Sequence, residues 1–137
     1  MVPLSSNLEN REKYFDEWNE YLGSFSFALG GNWDYNHGYF DRYLDEEHKV
    51  WLRIPFRVSG GEFDGEEIGS NALLTLDQPF VLKHLYQDGL DPEARVRISG
   101  ALIDQFQDPI DKDAEVETKW VEKANHVLRQ LEQGLQQ

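Results

Sequence analysis

A chain of 137 residues without cysteine has ordinary single-domain length, and it excludes disulfides and thiolate metal sites. Its 26 acidic against 13 basic side chains, a net charge of −13, argue against nucleic-acid and anionic-membrane partners, because phosphate surfaces are bound by neutralising them with Lys and Arg. Met1-Val2-Pro3-Leu4-Ser5-Ser6-Asn7 lacks the basic and apolar regions of a signal peptide, and no apolar run nears the roughly 20 residues of a membrane span, so a single cytoplasmic domain over 1–137 is expected.

The first predicted element is a helix from Leu8 to Leu22. Phe15, Trp18 and Leu22 follow i, i+3, i+7, Tyr14 and Tyr21 widen the stripe, and Glu9, Arg11, Glu12, Glu17 and Glu20 lie off it. Ser6 or Asn7 is placed to cap its start and Gly23 to supply a left-handed stop. The period then drops to two: Phe25, Phe27 and Leu29 alternate with small residues and predict a strand ending at Gly30-Gly31. Asn36-His37-Gly38 predicts a turn, since Asn and Gly tolerate positive φ.

Tyr39–Leu44 and Lys49–Val58 predict a hairpin around Asp45-Glu46-Glu47-His48. In the second strand Val50, Leu52, Ile54, Phe56 and Val58 share one face, and Lys49, Trp51, Arg53, Pro55 and Arg57 the other. If Asp45-Glu46-Glu47 is the loop, Tyr39 faces Arg53, Asp41 faces Trp51 and Tyr43 faces Lys49. Phe40 and Leu44 then point to the core, and so does Arg42. A shift by one residue frees Arg42 but buries Asp41. Pro55 has no N–H for a ladder and predicts an edge or a bulge there.

Ser59-Gly60-Gly61 breaks the chain, and Glu62–Asn71 predicts an acidic loop. Residues 62–93 hold eight acidic side chains against Lys83 alone; a solvated surface is the plain reading, a cation or basic-partner site the sharper one. Ala72–Leu76 is short and apolar, and Phe80–Tyr86 suits helix or strand. Asp88-Gly89 and Asp91-Pro92 punctuate the chain. Arg95–Ile103 alternates as a strand, and Asp108-Pro109 closes the sheet region. A helix from about Asp113 to Leu135 follows, with Val116, Trp120, Ala124, Val127, Leu131 and Leu135 along its apolar stripe. Asp113 is placed to cap it, and Glu115 and Glu117 fall in the first turn. Helix, strands, helix predicts an α+β fold: an antiparallel sheet of about five to seven strands with the N-terminal and C-terminal helices packed on one face.

Catalytic patterns are thin. None of the serines sits in Gly-x-Ser-x-Gly or Ser-x-x-Lys, and Gly30-Gly31 and Gly60-Gly61 lack the context of a phosphate loop. His37, His48, His84 and His126 have no ligand spacing, so no metal and no cofactor is expected. Asp34, His37 and Asp41 make a weaker candidate, a partial hard-metal or acid–base cluster, read first as a turn histidine among surface acids. The stronger candidate for a ligand or a partner is the outer sheet face: Trp51, Arg53 and Arg57, joined by Arg95 and Arg97 if their strands are neighbours. Guanidinium groups beside an indole suit an anion or an interface hot spot; cross-strand pairing with Asp41 is the structural alternative.

Four motifs, Gly-Gly-Asn-Trp-Asp-Tyr-Asn-His-Gly-Tyr-Phe-Asp (30–41), Leu-Arg-Ile-Pro-Phe-Arg (52–57), Tyr-Gln-Asp-Gly-Leu-Asp (86–91) and Gln-Phe-Gln-Asp-Pro-Ile-Asp-Lys-Asp-Ala-Glu-Val (105–116), resemble the YugN-like family of Bacillus and relatives over nearly the whole chain. The resemblance implies a small bacterial cytoplasmic protein and assigns no activity, cofactor or catalytic residue. A non-enzymatic interaction or regulatory module, with a homo-oligomer as its expected form, is the first functional reading. A small-molecule (anion) binding protein, or an enzyme built on the Arg/Trp sheet face, is the second. A concave Arg/Trp pocket would favour the second and a flat patch the first.

Overall fold

The computed structural model describes residues 1–31, 33–61, 72–84 and 115–136. Among these, strands β1 (Val2–Pro3), β2 (Glu12–Tyr14), β3 (Ala28–Leu29), β4 (His37–Tyr43), β5 (Val50–Gly60), β6 (Leu73–Leu76) and β7 (Phe80–Lys83) form one antiparallel sheet, accompanied by helices α1 (Phe15–Gly23) and α2 (Thr118–Leu135). The expected α+β architecture is the observed one. The predicted acidic loop at 62–71, the turns near 88–92 and 108–109, the strand at 95–103 and the capping Asp113 lie outside the described residues.

The first helix is shorter than its apolar stripe suggested. Residues 12–14 pair instead with β6, Glu12 opposite Thr75 and Tyr14 opposite Leu73. Before them the chain turns at Asn10, whose φ is +68°. The Ser6 hydroxyl accepts the Leu8 N–H at 3.1 Å within that turn rather than capping a helix. Helix α1 starts at Phe15 with Asp16 and Glu17 in its first turn, where the exposed N–H groups favour negative charge. Phe15, Trp18 and Leu22 are buried as the spacing predicted. The left-handed residue after the helix is Ser26, φ +70°, and not Gly23, and only Ala28–Leu29 of the following segment joins the sheet.

Strand β5 is central. One edge pairs with β4; the other pairs with β7 along Val50–Arg53 and with β6 from Phe56 onward, with an irregularity between Val58 and Gly60. Pro55 lies between the two partners, its carbonyl accepting the Asp77 N–H at 2.8 Å. An imino residue therefore sits in a central strand at no cost, at the point where the edge changes partner and no ladder donor is needed.

The hairpin register is two residues away from the expected one: Tyr39 faces Pro55, Asp41 faces Arg53 and Tyr43 faces Trp51. The faces survive, because a two-residue shift preserves alternation. The cause is the loop. The Asp45 carboxylate accepts the N–H groups of Lys49 and Val50 at 2.9 Å, His48 takes a φ of +61°, and Leu44 closes directly onto Val50. Arg42 keeps its inward position by donating to the Phe25 carbonyl at 2.9 Å.

Helix α2 begins after Glu117, so Glu115 and Glu117 precede it and no acidic residue occupies its first turn. Its buried face is Ala124, Val127, Leu128 and Leu131, together with Glu132; Val116, Trp120 and Leu135 are half-buried at the margin. These residues join one apolar cluster with Phe15, Trp18 and Leu22 of α1 and with Phe40, Leu52, Ile54, Phe56, Leu74, Leu76 and Val81 of the sheet. Each large side chain so buried contributes about 1.5–3 kcal/mol. One sheet face is thereby consumed by the core, and the alternate residues of β4 and β5 remain for the other face.

Candidate functional site

Alternation along β4 and β5 sends Tyr39, Asp41 and Tyr43, with Trp51, Arg53 and Arg57, to the outer face. Arg53 and Asp41 form a two-pronged pair, Nε to Oδ1 at 2.8 Å and Nη2 to Oδ2 at 3.2 Å. Their side chains are only 14% and 16% exposed. The guanidinium carbon lies 4.8 Å from the Tyr39 ring centre and 5.3 Å from that of Trp51. A planar cation flanked by aromatic rings and neutralised by a carboxylate is held rigidly. Gly30 makes room for it, since a Cβ there would come within 2.8 Å of an Asp41 carboxylate oxygen.

Rings extend from this pair in both directions. Tyr43 stacks on His48 at 3.8 Å and meets Trp51 edge-on at 4.9 Å. Trp51 stacks on His84 at 5.1 Å, and its indole N–H donates to the His48 carbonyl at 2.8 Å. Tyr39 meets Phe80 edge-on at 6.4 Å. Arg57 pairs with Asp77 and also donates to the Asn10 side chain at 3.3 Å. The structure thus brings Trp51, Arg53 and Arg57 together on one face as the alternation required, but each guanidinium has its own carboxylate. Arg95 and Arg97 lie outside the described residues.

Asp34, His37 and Asp41 do not converge. Asp34 organises a turn: its carboxylate accepts the backbone N–H groups of Asn36 at 2.7 Å and His37 at 2.9 Å, and lies 2.8 Å from His37 Nδ1. The Asn36 N–H first, and His37 after it, hold the Asp34 carboxyl below its ordinary value. The turn is Asp34–His37, and Gly38 already belongs to β4. Asp41 meanwhile faces Arg53. Among the described residues no group of three His, Asp or Glu side chains is placed to hold a metal ion, and no helix is long and apolar enough to cross a membrane.

His84 and Phe80 were not singled out by the sequence, because the Phe80–Tyr86 segment fits either period and gives no face to its residues. Tyr39 and Tyr43 were legible from the spacing of Asp41. Two concavities on the described surface lie elsewhere. One, of about 510 Å³, lies between α1 and the end of α2 and is lined by Lys13, Glu20, Tyr21 and Gly134. The other, of about 610 Å³, lies between the Asp45–Lys49 loop, β7 and the start of α2.

Fold and site together describe a small α+β protein with a central antiparallel strand, a helical layer on one face and an aromatic, charge-paired outer face. The chain belongs to the YugN-like family, whose model matches residues 3–135. It is similar to the uncharacterized protein YugN of Bacillus subtilis (strain 168), with 26% identity over 136 residues and 98% of each chain covered. It is also similar to the crystal structure of the uncharacterized conserved protein YugN from Geobacillus kaustophilus HTA426, with a TM-score of 0.67 and 20% identity, covering 99% of this chain and 96% of that one. That likeness speaks to the fold.

Proposed function

We propose that the chain is a non-enzymatic interaction module and that the outer face of β4 and β5 docks a second copy of the same chain. The observation that supports this reading is the state of the arginines. Arg53 and Arg57 are each matched by a carboxylate, Asp41 and Asp77, so among the described residues the face is charge-balanced in a chain of net charge −13. Two such faces approach without the repulsion that the remaining surface imposes. The residues around them, Tyr39, Tyr43, Trp51 and Arg53, are the types that dominate interface energetics, and Tyr43 is 46% exposed. The same pairing works against the anion-binding alternative on this face, because an incoming anion would have to displace Asp41 from a geometry already suited to it.

The test is light scattering of the purified protein over a range of concentrations at low and high salt. The wild type is expected to dimerise, with little salt dependence. The double variant Tyr43→Ala, Trp51→Ala should keep its circular dichroism yet associate about 30-fold more weakly, the effect of losing roughly 2 kcal/mol at a hot spot. A wild type that is monomeric at all concentrations, or a folded double variant that still dimerises equally well, would refute the reading.

A further inference from the structure

The second concavity carries a separate inference. Four ammonium side chains line it: Lys49 from the hairpin loop, Lys83 from the end of β7, and Lys119 and Lys123 from the first turns of α2. That is four of the chain's 13 basic residues around one cleft of about 610 Å³, a volume within the usual range for small-ligand sites.

Four carboxylates, Asp45, Glu46, Glu47 and Glu117, line the cleft with these cations, and among the described residues they are unevenly shared. Asp45 is turned inward onto the N–H groups of Lys49 and Val50. Glu47 pairs with Lys49 at 3.1 Å, and Glu46 lines the cleft from an exposed position. A single carboxylate, Glu117, is stretched between two ammoniums, 3.6 Å from Lys83 and 3.5 Å from Lys119, both longer than a charge-assisted hydrogen bond. The Lys123 ammonium donates to the neutral carbonyl of Leu44 at 2.6 Å. A second feature adds positive potential. The N-terminus of α2 opens here with no side-chain cap hydrogen bond and no acidic residue in its first turn; the acid at its N-cap is Glu117, whose carboxylate is the one shared by Lys83 and Lys119. Trp120 forms one wall, with Lys119 and Lys123 at 4.9 Å and 5.7 Å from its ring centre.

We infer that this cleft binds a small phosphorylated ligand, its phosphate held by Lys83, Lys119 and Lys123 in place of the Glu117 carboxylate. Lysines acting as mobile point charges suit a tetrahedral dianion better than a planar carboxylate, which favours the fork of an arginine. The site is independent of the outer sheet face, so a dimer that fails to form there leaves it untouched.

Inorganic pyrophosphate is the probe, titrated calorimetrically at constant ionic strength while the Trp120 indole N–H signal is followed by NMR and assigned with Trp120→Phe. The Trp120 signal should move saturably and that of buried Trp18 should not. Lys119→Gln, at a side chain 66% exposed and so without cost to folding, should weaken binding about tenfold, the worth of one charge-assisted contact. Glu117→Gln removes the competing carboxylate and should tighten binding. Failure of the Trp120 signal to saturate, or one affinity shared by the wild type and both variants, would overturn the inference.

Discussion

Gly38 shows how a residue's sequence signal and its structural duty part company. Beside Asn36 and His37 it suggests a turn residue chosen for positive φ. In the structure it is a buried strand residue outside the left-handed region, and the constraint is space. A Cβ there would stand 2.6 Å from Phe56 Cζ and 2.9 Å from Trp33 Cβ, and Phe56 is only 1% exposed, with Phe40 packed 5.2 Å from its ring centre. Gly38→Ala should therefore lose about 1–3 kcal/mol through overpacking, read as a lower urea midpoint at unchanged slope. Gly31→Ala, which meets nothing within 4 Å, is the neutral comparison. Equal midpoints for the two would show that Phe56 has room to move. No string of letters reveals a ring from another strand lying over a glycine, so this constraint was not legible, whereas the turn-forming chemistry of Asp34 and Asn36 was.

At the scale of elements, α1 and α2 were recognised by their apolar stripes and misplaced at their starts for one reason. A stripe records which side chains want burial, while a boundary depends on where backbone N–H and C=O groups find partners. Glu12–Tyr14 found Leu73–Thr75, and the extended Glu117, with a ψ of 144°, delays α2 to Thr118. The consequence is a contrast between two tryptophans. Trp18 is fully buried, and its indole N–H donates to the Leu74 carbonyl at 3.0 Å; Trp120 is half-buried at the margin of the core. Trp18→Ala should cost about 3–5 kcal/mol, and Trp120→Ala about 1–2 kcal/mol, in proportion to the smaller area removed from water. Thermal melts of the two variants order them, and equal losses would mean that the margin of α2 is as tightly packed as the centre. The hairpin illustrates the same division: its faces followed from alternation, and its register from the Asp45 carboxylate, which sets the loop length.

At the scale of the molecule, segment 2–8 is bound to α2 across the whole length of the chain. The Ser6 hydroxyl donates to Glu132 Oε2 at 2.6 Å, Arg129 pairs with Oε1 of the same carboxylate at 3.2 Å, and Arg129 also donates to the Ser5 carbonyl at 2.6 Å. Glu132 is 7% exposed, and removing its carboxylate takes the charged acceptor from the half-buried Ser6 hydroxyl and from the half-exposed Arg129 guanidinium. Glu132→Ala should cost about 1–3 kcal/mol, and hydrogen exchange should quicken first in residues 2–8, ahead of β4 and β5. Uniform quickening throughout would show that the clasp is inseparable from global folding.

By itself the sequence determined the α+β class, the inward face of β5, the stripe of α1 and the outward grouping of Trp51, Arg53 and Arg57, because these depend on side-chain periodicity along a single element. The resemblance to the YugN-like family was legible in four motifs of the sequence, and the family's model matches residues 3–135. Tertiary structure alone decided that β5 is central and changes partner at Pro55, that Asp41 and not Tyr39 faces Arg53, and that four lysines from three separate elements line one cleft. Those outcomes depend on which backbone groups and charges from distant parts of the chain come within a few ångströms of one another, and the order of residues along one strand or helix does not encode that distance.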